Sequence, residues 1–125
     1  MLGWINGVFP RYRDTTRYRE PDLLFFRSAN DPRTRGDYPT GIDLAVEIVS
    51  PDVRSQQRDY VEKREAYASA GVLEYWIVDP QEQKITVLAL EGAEYREHGV
   101  FTRGQTATSA LLPELRVDVS ATLDA

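Results

Sequence analysis

Two almost unbroken apolar runs dominate the hydrophobic pattern of the chain. Residues 44–49 are apolar except for Glu47, and residues 73–78 read Leu-Glu-Tyr-Trp-Ile-Val. Both runs are rich in β-branched or aromatic side chains, and each is followed by a proline turn, Ser50-Pro51 and Asp79-Pro80. Short runs of this kind are typical of strands that are covered on both faces. The pattern therefore predicts two central strands.

The segment between these strands has helical periodicity. Ser55 fits an N-cap and Gly71 fits the position after a helix, which predicts a helix over residues 55–70. The apolar side of this helix consists of Tyr60, Val61, Tyr67 and Ala68. A strand, a helix and a second strand in this order predict a parallel βαβ crossover.

Shorter patterns extend the sheet on either side. Pro21 precedes an apolar strand over residues 23–26, and the polar residues 27–42 predict a loop. Residues 84–90 predict a strand antiparallel to its predecessor, with edge strands over residues 94–98 and 115–119. We expect an α/β (α+β) fold with a mixed sheet, a crossover helix and an antiparallel hairpin, in a single domain over residues 1–125.

Residues 1–19 form an N-terminal arm whose sequence does not predict any particular helix or strand. The arm repeats a basic–aromatic–basic triplet, Arg11-Tyr12-Arg13 and Arg17-Tyr18-Arg19. Such interleaving can stack bases or grip phosphates. It is also typical of an exposed edge strand that uses charge to prevent pairing with another sheet. Both interpretations stay open.

The charge of the chain is unevenly distributed. The 15 basic and 20 acidic side chains give a net charge of −5, which argues against non-specific binding to nucleic acid. Residues 1–36, however, hold seven arginines and four acids, a charge of +3 against −8 for the remainder. The basic arm is therefore either a phosphate contact or a solvated charged surface.

Composition excludes several classes of site. The chain has no cysteine, so disulfides, zinc–thiolate sites and cysteine nucleophiles are excluded. Glycine-rich phosphate loops, Ser-His-Asp sets and zinc-ligand spacings are also missing from the sequence. We see no signal peptide in residues 1–10 and no run near the roughly 20 apolar residues of a membrane span. We expect a cytoplasmic protein with no membrane partner.

Glu47 is the candidate functional residue that the pattern itself singles out. A carboxylate inside an apolar strand costs several kcal/mol, roughly, unless a cation or a hydrogen-bond donor meets it. Asp43 lies four residues earlier, so it points to the same face of the strand, with the small Ala45 between the two acids. Two acids on one face favour a metal site over a core.

The predicted helix offers cations to meet Glu47. Lys63 borders the side of the helix that faces the sheet, and Arg64 is similarly placed, so spacing alone does not choose between them. Asp59 and Lys63 could also form an i,i+4 ion pair. The alternative for Lys63 is a snorkelling side chain with a solvated ammonium group.

Four motifs, in this order, carry a resemblance to a known family. They are Pro21-Asp22 with Leu-Leu-Phe-Phe; Asp43-Leu-Ala-Val-Glu47-Ile-Val-Ser50-Pro51; Asp59, Lys63 and Tyr67 at four-residue spacing; and residues 70–80, Ala-Gly-Val-Leu-Glu-Tyr-Trp-Ile-Val-Asp-Pro. Over residues 20–119 the chain resembles the Uma-two family, within the PD-(D/E)XK restriction-endonuclease-like superfamily. The last motif is the most specific of the four.

The resemblance implies a restriction-endonuclease-like sheet and a metal-dependent endonuclease that hydrolyses nucleic-acid phosphodiester bonds, with DNA as the expected partner. It implies Asp22 and Glu47 as ligands of Mg²⁺ or Mn²⁺, hard cations that prefer such oxygens. Lys63 completes the implied catalytic set. It stands where a helix lysine of the family substitutes for the one missing two places after Glu47, where this chain has Val49.

The resemblance also bears on assembly. Relatives carry several dozen residues before the Pro-Asp element, and this chain has 20. A shortened N-terminal part predicts an exposed sheet edge and a homodimer or higher homo-oligomer. The alternative function is a non-catalytic nuclease-fold module for binding or assembly, with Glu47 and Lys63 as a structural ion pair. A structural domain outside this fold with the same pair is a third interpretation.

Overall fold

The computed structural model describes residues 3–5, 12–14, 17–19, 21–27, 32–34 and 41–125. Its strands β1 to β10 are Gly3–Ile5, Tyr12–Asp14, Arg17–Arg19, Leu23–Phe26, Leu44–Ile48, Glu74–Asp79, Lys84–Glu91, Glu94–Thr102, Thr106–Thr108 and Arg116–Asp118. Three consecutive segments together form the crossover helix: α1 (Val53–Gln57), a π-helical segment (Arg58–Glu62) and α2 (Lys63–Ser69). A 3₁₀ turn (Pro32–Thr34) and helix α3 (Val119–Leu123) are the other helical elements of the described residues.

Six of the described strands form one mixed sheet in the order β1-β4-β5-β6-β7-β8. Strands β5 and β6 are parallel, and the other neighbours in this sheet are antiparallel. A parallel pair needs a long connection that returns the chain to the same end of the sheet, and the crossover helix is that connection. The predicted fold class, a mixed sheet with a βαβ crossover and a following antiparallel hairpin, is confirmed.

The two central strands are buried because each face of the sheet carries its own core. Ala45 and Ile77 lie in the core with Tyr67 of the crossover helix. Val46 and Trp76 lie in the second core, which the C-terminal segment covers. Burial on both faces explains why the two strands have continuous apolar runs instead of alternating patterns.

The crossover helix begins earlier than the sequence pattern predicts. Asp52 is the N-cap, because its carboxylate accepts a hydrogen bond from the Ser55 amide at 2.8 Å. The predicted N-cap at Ser55 is therefore wrong, and that residue lies within the first turn. The predicted end is confirmed, since Gly71 adopts a φ of +78°, in the left-handed region typical of the residue after a helix.

The later strands differ from prediction in length. Strand β8 extends to Thr102 instead of ending near His98. Val87 pairs with Gly99 and Leu88 with Glu97, so His98 lies in a β-bulge, and its side chain is exposed as expected. The last predicted strand is β10, which pairs with the unpredicted β9, and the unpredicted α3 follows it.

Tyr12 and Arg13 of the first basic triplet lie in β2, and the second triplet forms β3. These strands pair with each other antiparallel and lie outside the six-stranded sheet. Each of them is an edge strand of this two-stranded sheet, while β1 of the same arm is an edge strand of the six-stranded sheet. Arg11 lies outside the described residues, and the expected contact of the arm with phosphate stays a prediction.

Candidate active site

Glu47 lies on β5 beneath the crossover helix, and its residue is only 2% exposed. The Tyr67 hydroxyl donates a hydrogen bond to Glu47 Oε1 at 2.6 Å, and Lys63 Nζ lies 2.9 Å from Oε2. Both buried oxygens thus have partners, which offsets much of the cost of their burial. Burial still raises the pKa of Glu47, against the hydrogen bonds from Tyr67 and Lys63, which lower it.

Lys63 is shared between two buried carboxylates. Its Nζ also lies 3.3 Å from Oδ1 of Asp59, a side chain that is 1% exposed. The predicted i,i+4 pair is therefore confirmed, and the interpretation of Lys63 as a solvated, snorkelling residue is wrong. Arg58 Nε approaches the same Asp59 oxygen at 3.4 Å. Arg64 instead donates to the Tyr95 carbonyl at 3.4 Å, so the fold selects Lys63 as the cation that meets Glu47.

Asp22 lies beside Glu47 at the end of the neighbouring strand. Leu23 of β4 pairs with Val46 of β5 in antiparallel register, so the next residues outward are Asp22 and Glu47. Asp22 Oδ2 accepts a hydrogen bond from the Ile48 amide at 2.6 Å. The negative charge of Asp22 contributes to the raised pKa of Glu47. The exposed Asp22 thus places a second carboxylate at the solvent side of the buried one.

Asp43 does not join this cluster. Its Oδ2 accepts the Arg27 amide at 2.7 Å and its Oδ1 accepts the Arg33 guanidinium at 2.7 Å. Glu47 shares neither partner, because four residues of extended strand separate the two acids by about 13 Å along β5. The expected acidic site of Asp43 and Glu47 is therefore wrong. Asp43 instead anchors the residues that precede β5.

The π-helical segment explains how three polar side chains of the helix all face the sheet. Asp59, Lys63 and Tyr67 are spaced four residues apart, and each four-residue step overruns an α-helical turn by about 40°. A π turn is wider and absorbs part of this rotation. The Lys63 amide accordingly donates to the Arg58 carbonyl, five residues back. The π turn thus keeps three site residues on one side of the helix.

Tyr75 on β6 holds the π turn from the sheet side. Its hydroxyl donates at 2.8 Å to the backbone carbonyl of Asp59, the acceptor that the Lys63 amide would use in an α-helix. The rings of Tyr75 and Tyr67 lie edge to face, with centroids 5.1 Å apart. The sequence pattern places Tyr67 on the apolar side of the helix and Tyr75 within a buried strand, and it gives no sign of the bonds that the two hydroxyls make. The four-residue spacing of Asp59, Lys63 and Tyr67 was the available signal.

The carboxylates of Asp22 and Glu47 fit a hydrated hard cation. Mg²⁺ keeps several waters in proteins and is bound through one or two carboxylates, whereas closed zinc sites take about four protein ligands. Within the part of the chain that the structure describes, no group of three or more His, Cys, Asp or Glu side chains could hold a metal ion. The cation in contact with Glu47 in this structure is the Lys63 ammonium, 2.9 Å from Oε2.

The mixed sheet with its crossover helix agrees with the restriction-endonuclease-like fold that the resemblance implies. Residues 5–120 match the model of the Uma2 family, described as "putative restriction endonuclease", and the chain belongs to this family. The chain is also similar to the crystal structure of "a putative nuclease belonging to DUF820" from Anabaena variabilis, with 21% identity and a TM-score of 0.68. This match shows the fold, covering 94% of this chain and 66% of that chain, just under two thirds of its length.

Two further findings are negative. A search of curated proteins found no match. In the described residues, no helix is long and apolar enough to cross a membrane.

Proposed function

We propose that this protein is a metal-dependent endonuclease that hydrolyses phosphodiester bonds of nucleic acid, with DNA as its substrate. Asp22 and Glu47 bind the cation, and Lys63 acts at the reacting centre. The observation that carries the proposal is the 2.9 Å contact of Lys63 Nζ with a buried Glu47 that stands beside Asp22. Membership of the Uma2 family supports the nuclease class.

The roles follow from the chemistry of each side chain. When bound, Mg²⁺ or Mn²⁺ lowers the pKa of a water and stabilises negative charge on a phosphate. Asp22 holds the solvent side of the site and Glu47 the buried side. Tyr67 fixes the orientation of Glu47 through Oε1. The Lys63 ammonium orients the attacking water and stabilises charge that develops on the phosphate oxygens.

A non-catalytic module for binding or assembly is the second candidate. One observation favours it: both oxygens of Glu47 have protein partners, so Glu47 and Lys63 already form a complete ion pair. In that case the pair stabilises the fold and no divalent cation is needed. The expected homo-oligomer and the cytoplasmic location stay predictions under both candidates.

Metal binding and nicking on the same samples separate the two candidates. We would titrate wild type, Asp22→Asn and Glu47→Ala with Mn²⁺ and Mg²⁺ by calorimetry and assay plasmid nicking. We expect saturable binding and nicking by the wild type, with both lost in each variant. Asp43→Asn is the matched control, because it removes a buried charge just before the same strand and outside the site, and it should keep both metal binding and nicking.

A folded wild type that binds neither cation would refute the nuclease proposal and favour the structural ion pair. Circular dichroism and urea unfolding establish that each variant is folded. Binding that survives in Glu47→Ala would place the cation elsewhere in the molecule.

A further inference from the structure

One buried acid in contact with Lys63, Asp59, has no role in the proposed chemistry. Asp59 touches no group that would bind the cation, yet its side chain is 1% exposed and lies 3.3 Å from Lys63 Nζ. We propose that Asp59 is a positioning residue: it takes over the Lys63 ammonium when a divalent cation occupies Glu47. The inference rests on the proposed function, because it concerns the same site.

Lys63 and a divalent cation compete for one carboxylate. The ammonium lies 2.9 Å from Glu47 Oε2, while Oε1 is held by the Tyr67 hydroxyl at 2.6 Å. A divalent cation that binds Glu47 would lie close to the Lys63 ammonium, which already contacts this carboxylate. Two positive charges that share one partly buried carboxylate repel each other strongly. The ammonium must therefore move away while it keeps a partner.

Asp59 provides that partner at little cost. The ammonium already lies within ion-pair distance of both acids, so a small rotation of the flexible lysine stem transfers it from one to the other. Asp59 itself is held in place, because its carbonyl accepts the Tyr75 hydroxyl at 2.8 Å from within the π turn. Lys63 thus stays charged and close to the reacting centre as the cation binds.

The alternative is that Asp59 attracts the cation directly. Its charge would then favour cation binding whether or not Lys63 is present. A double-mutant cycle distinguishes the two cases, because coupling between Asp59 and Lys63 appears only if the aspartate acts through the lysine.

The test measures the Mn²⁺ dissociation constant of wild type, Asp59→Asn, Lys63→Gln and the double variant by calorimetry at one pH and ionic strength. We expect Asp59→Asn to weaken binding by about tenfold, a typical coupling for groups in contact. Lys63→Gln should bind Mn²⁺ at least as tightly as wild type, since the competing charge is gone. In the Lys63→Gln background, Asp59→Asn should cause no further loss.

Asp59→Glu keeps the charge and should restore Mn²⁺ binding to near the wild-type value, which also guards against a poorly folded Asp59→Asn. Equal losses from Asp59→Asn with and without Lys63 would overturn the inference and leave the nuclease proposal standing. Unchanged binding in Asp59→Asn, or weaker binding in Lys63→Gln, would overturn it as well. A wild type that binds no Mn²⁺ removes the proposed function and this inference together.

Discussion

At the scale of single residues, Asp52 links the start of the crossover helix to pH. Its carboxylate accepts hydrogen bonds from the Ser55 hydroxyl and amide, both at 2.8 Å, and these bonds lower the pKa of Asp52 from 3.8. A carboxyl whose folded pKa is lowered adds stability above its unfolded pKa. That stability is lost as the pH falls through the folded pKa.

Urea unfolding across pH tests this assignment of the cap. We expect Asp52→Ala to be less stable than wild type at pH 7, with a difference that narrows as the pH falls below 3.8. Asp52→Asn is the control, because its amide oxygen can cap the helix and does not titrate. A difference between wild type and Asp52→Ala that stays constant into acid would show that the charge of Asp52 adds nothing.

At the scale of elements, the crossover helix is shaped by a contact from the sheet. The π turn moves the helix out of simple α-helical register, and the Tyr75 hydroxyl bonds the Asp59 carbonyl within it. A buried carbonyl without a partner is costly. The sheet therefore stabilises the turn from which Lys63 reaches both Asp59 and Glu47.

Two tyrosine-to-phenylalanine variants test this role of the sheet. Tyr75→Phe and Tyr95→Phe each remove a buried hydroxyl that donates to a backbone carbonyl, of Asp59 at 2.8 Å and of Val72 at 2.6 Å. We expect each to lower the free energy of unfolding by about 1–3 kcal/mol. Only Tyr75→Phe should also weaken Mn²⁺ binding, since its acceptor lies in the π turn. Similar Mn²⁺ affinities in both variants would contradict a link between the turn and the site.

At the scale of the whole molecule, the negative charge of the protein disfavours binding of the proposed nucleic-acid substrate. The net charge of −5 repels a polyanion, and Asp22 and Glu47 add negative charge at the site where a phosphate must approach. A divalent cation bound by these two carboxylates neutralises their negative charge. Binding of nucleic acid should therefore depend on the cation.

Fluorescence anisotropy of a short labelled duplex tests this dependence. We expect weak binding without divalent ions, tighter binding with Mn²⁺, and a decrease in affinity as NaCl is added. Glu47→Ala should bind equally weakly with and without Mn²⁺. Tight binding by the wild type in the presence of a chelator would indicate that another surface, such as the basic arm, carries the affinity.

The local sequence pattern was sufficient to predict the two central strands and the crossover helix, and to show that Glu47 needs a partner. Apolar runs marked β5 and β6 because both faces of these strands are buried, and periodicity marked the crossover helix between them. A carboxylate in such a strand needs a partner wherever the chain folds. The pattern itself singled out Glu47, the family resemblance added Asp22 and Lys63, and the structure places these two next to Glu47.

Tertiary structure alone decided which acids belong together. The i,i+4 spacing already predicted the pair of Asp59 and Lys63, but only the rotation of the helix brings Lys63 to Glu47, while Asp43 meets Arg33 instead. That rotation depends on the π turn and on Tyr75, whose hydroxyl bonds the turn from β6. Hydrophobic periodicity shows which face of an element is buried, because the apolar residues of that face recur at the spacing of the helix or strand. The choice of a partner from another element depends on register and rotation between elements, which no local pattern contains.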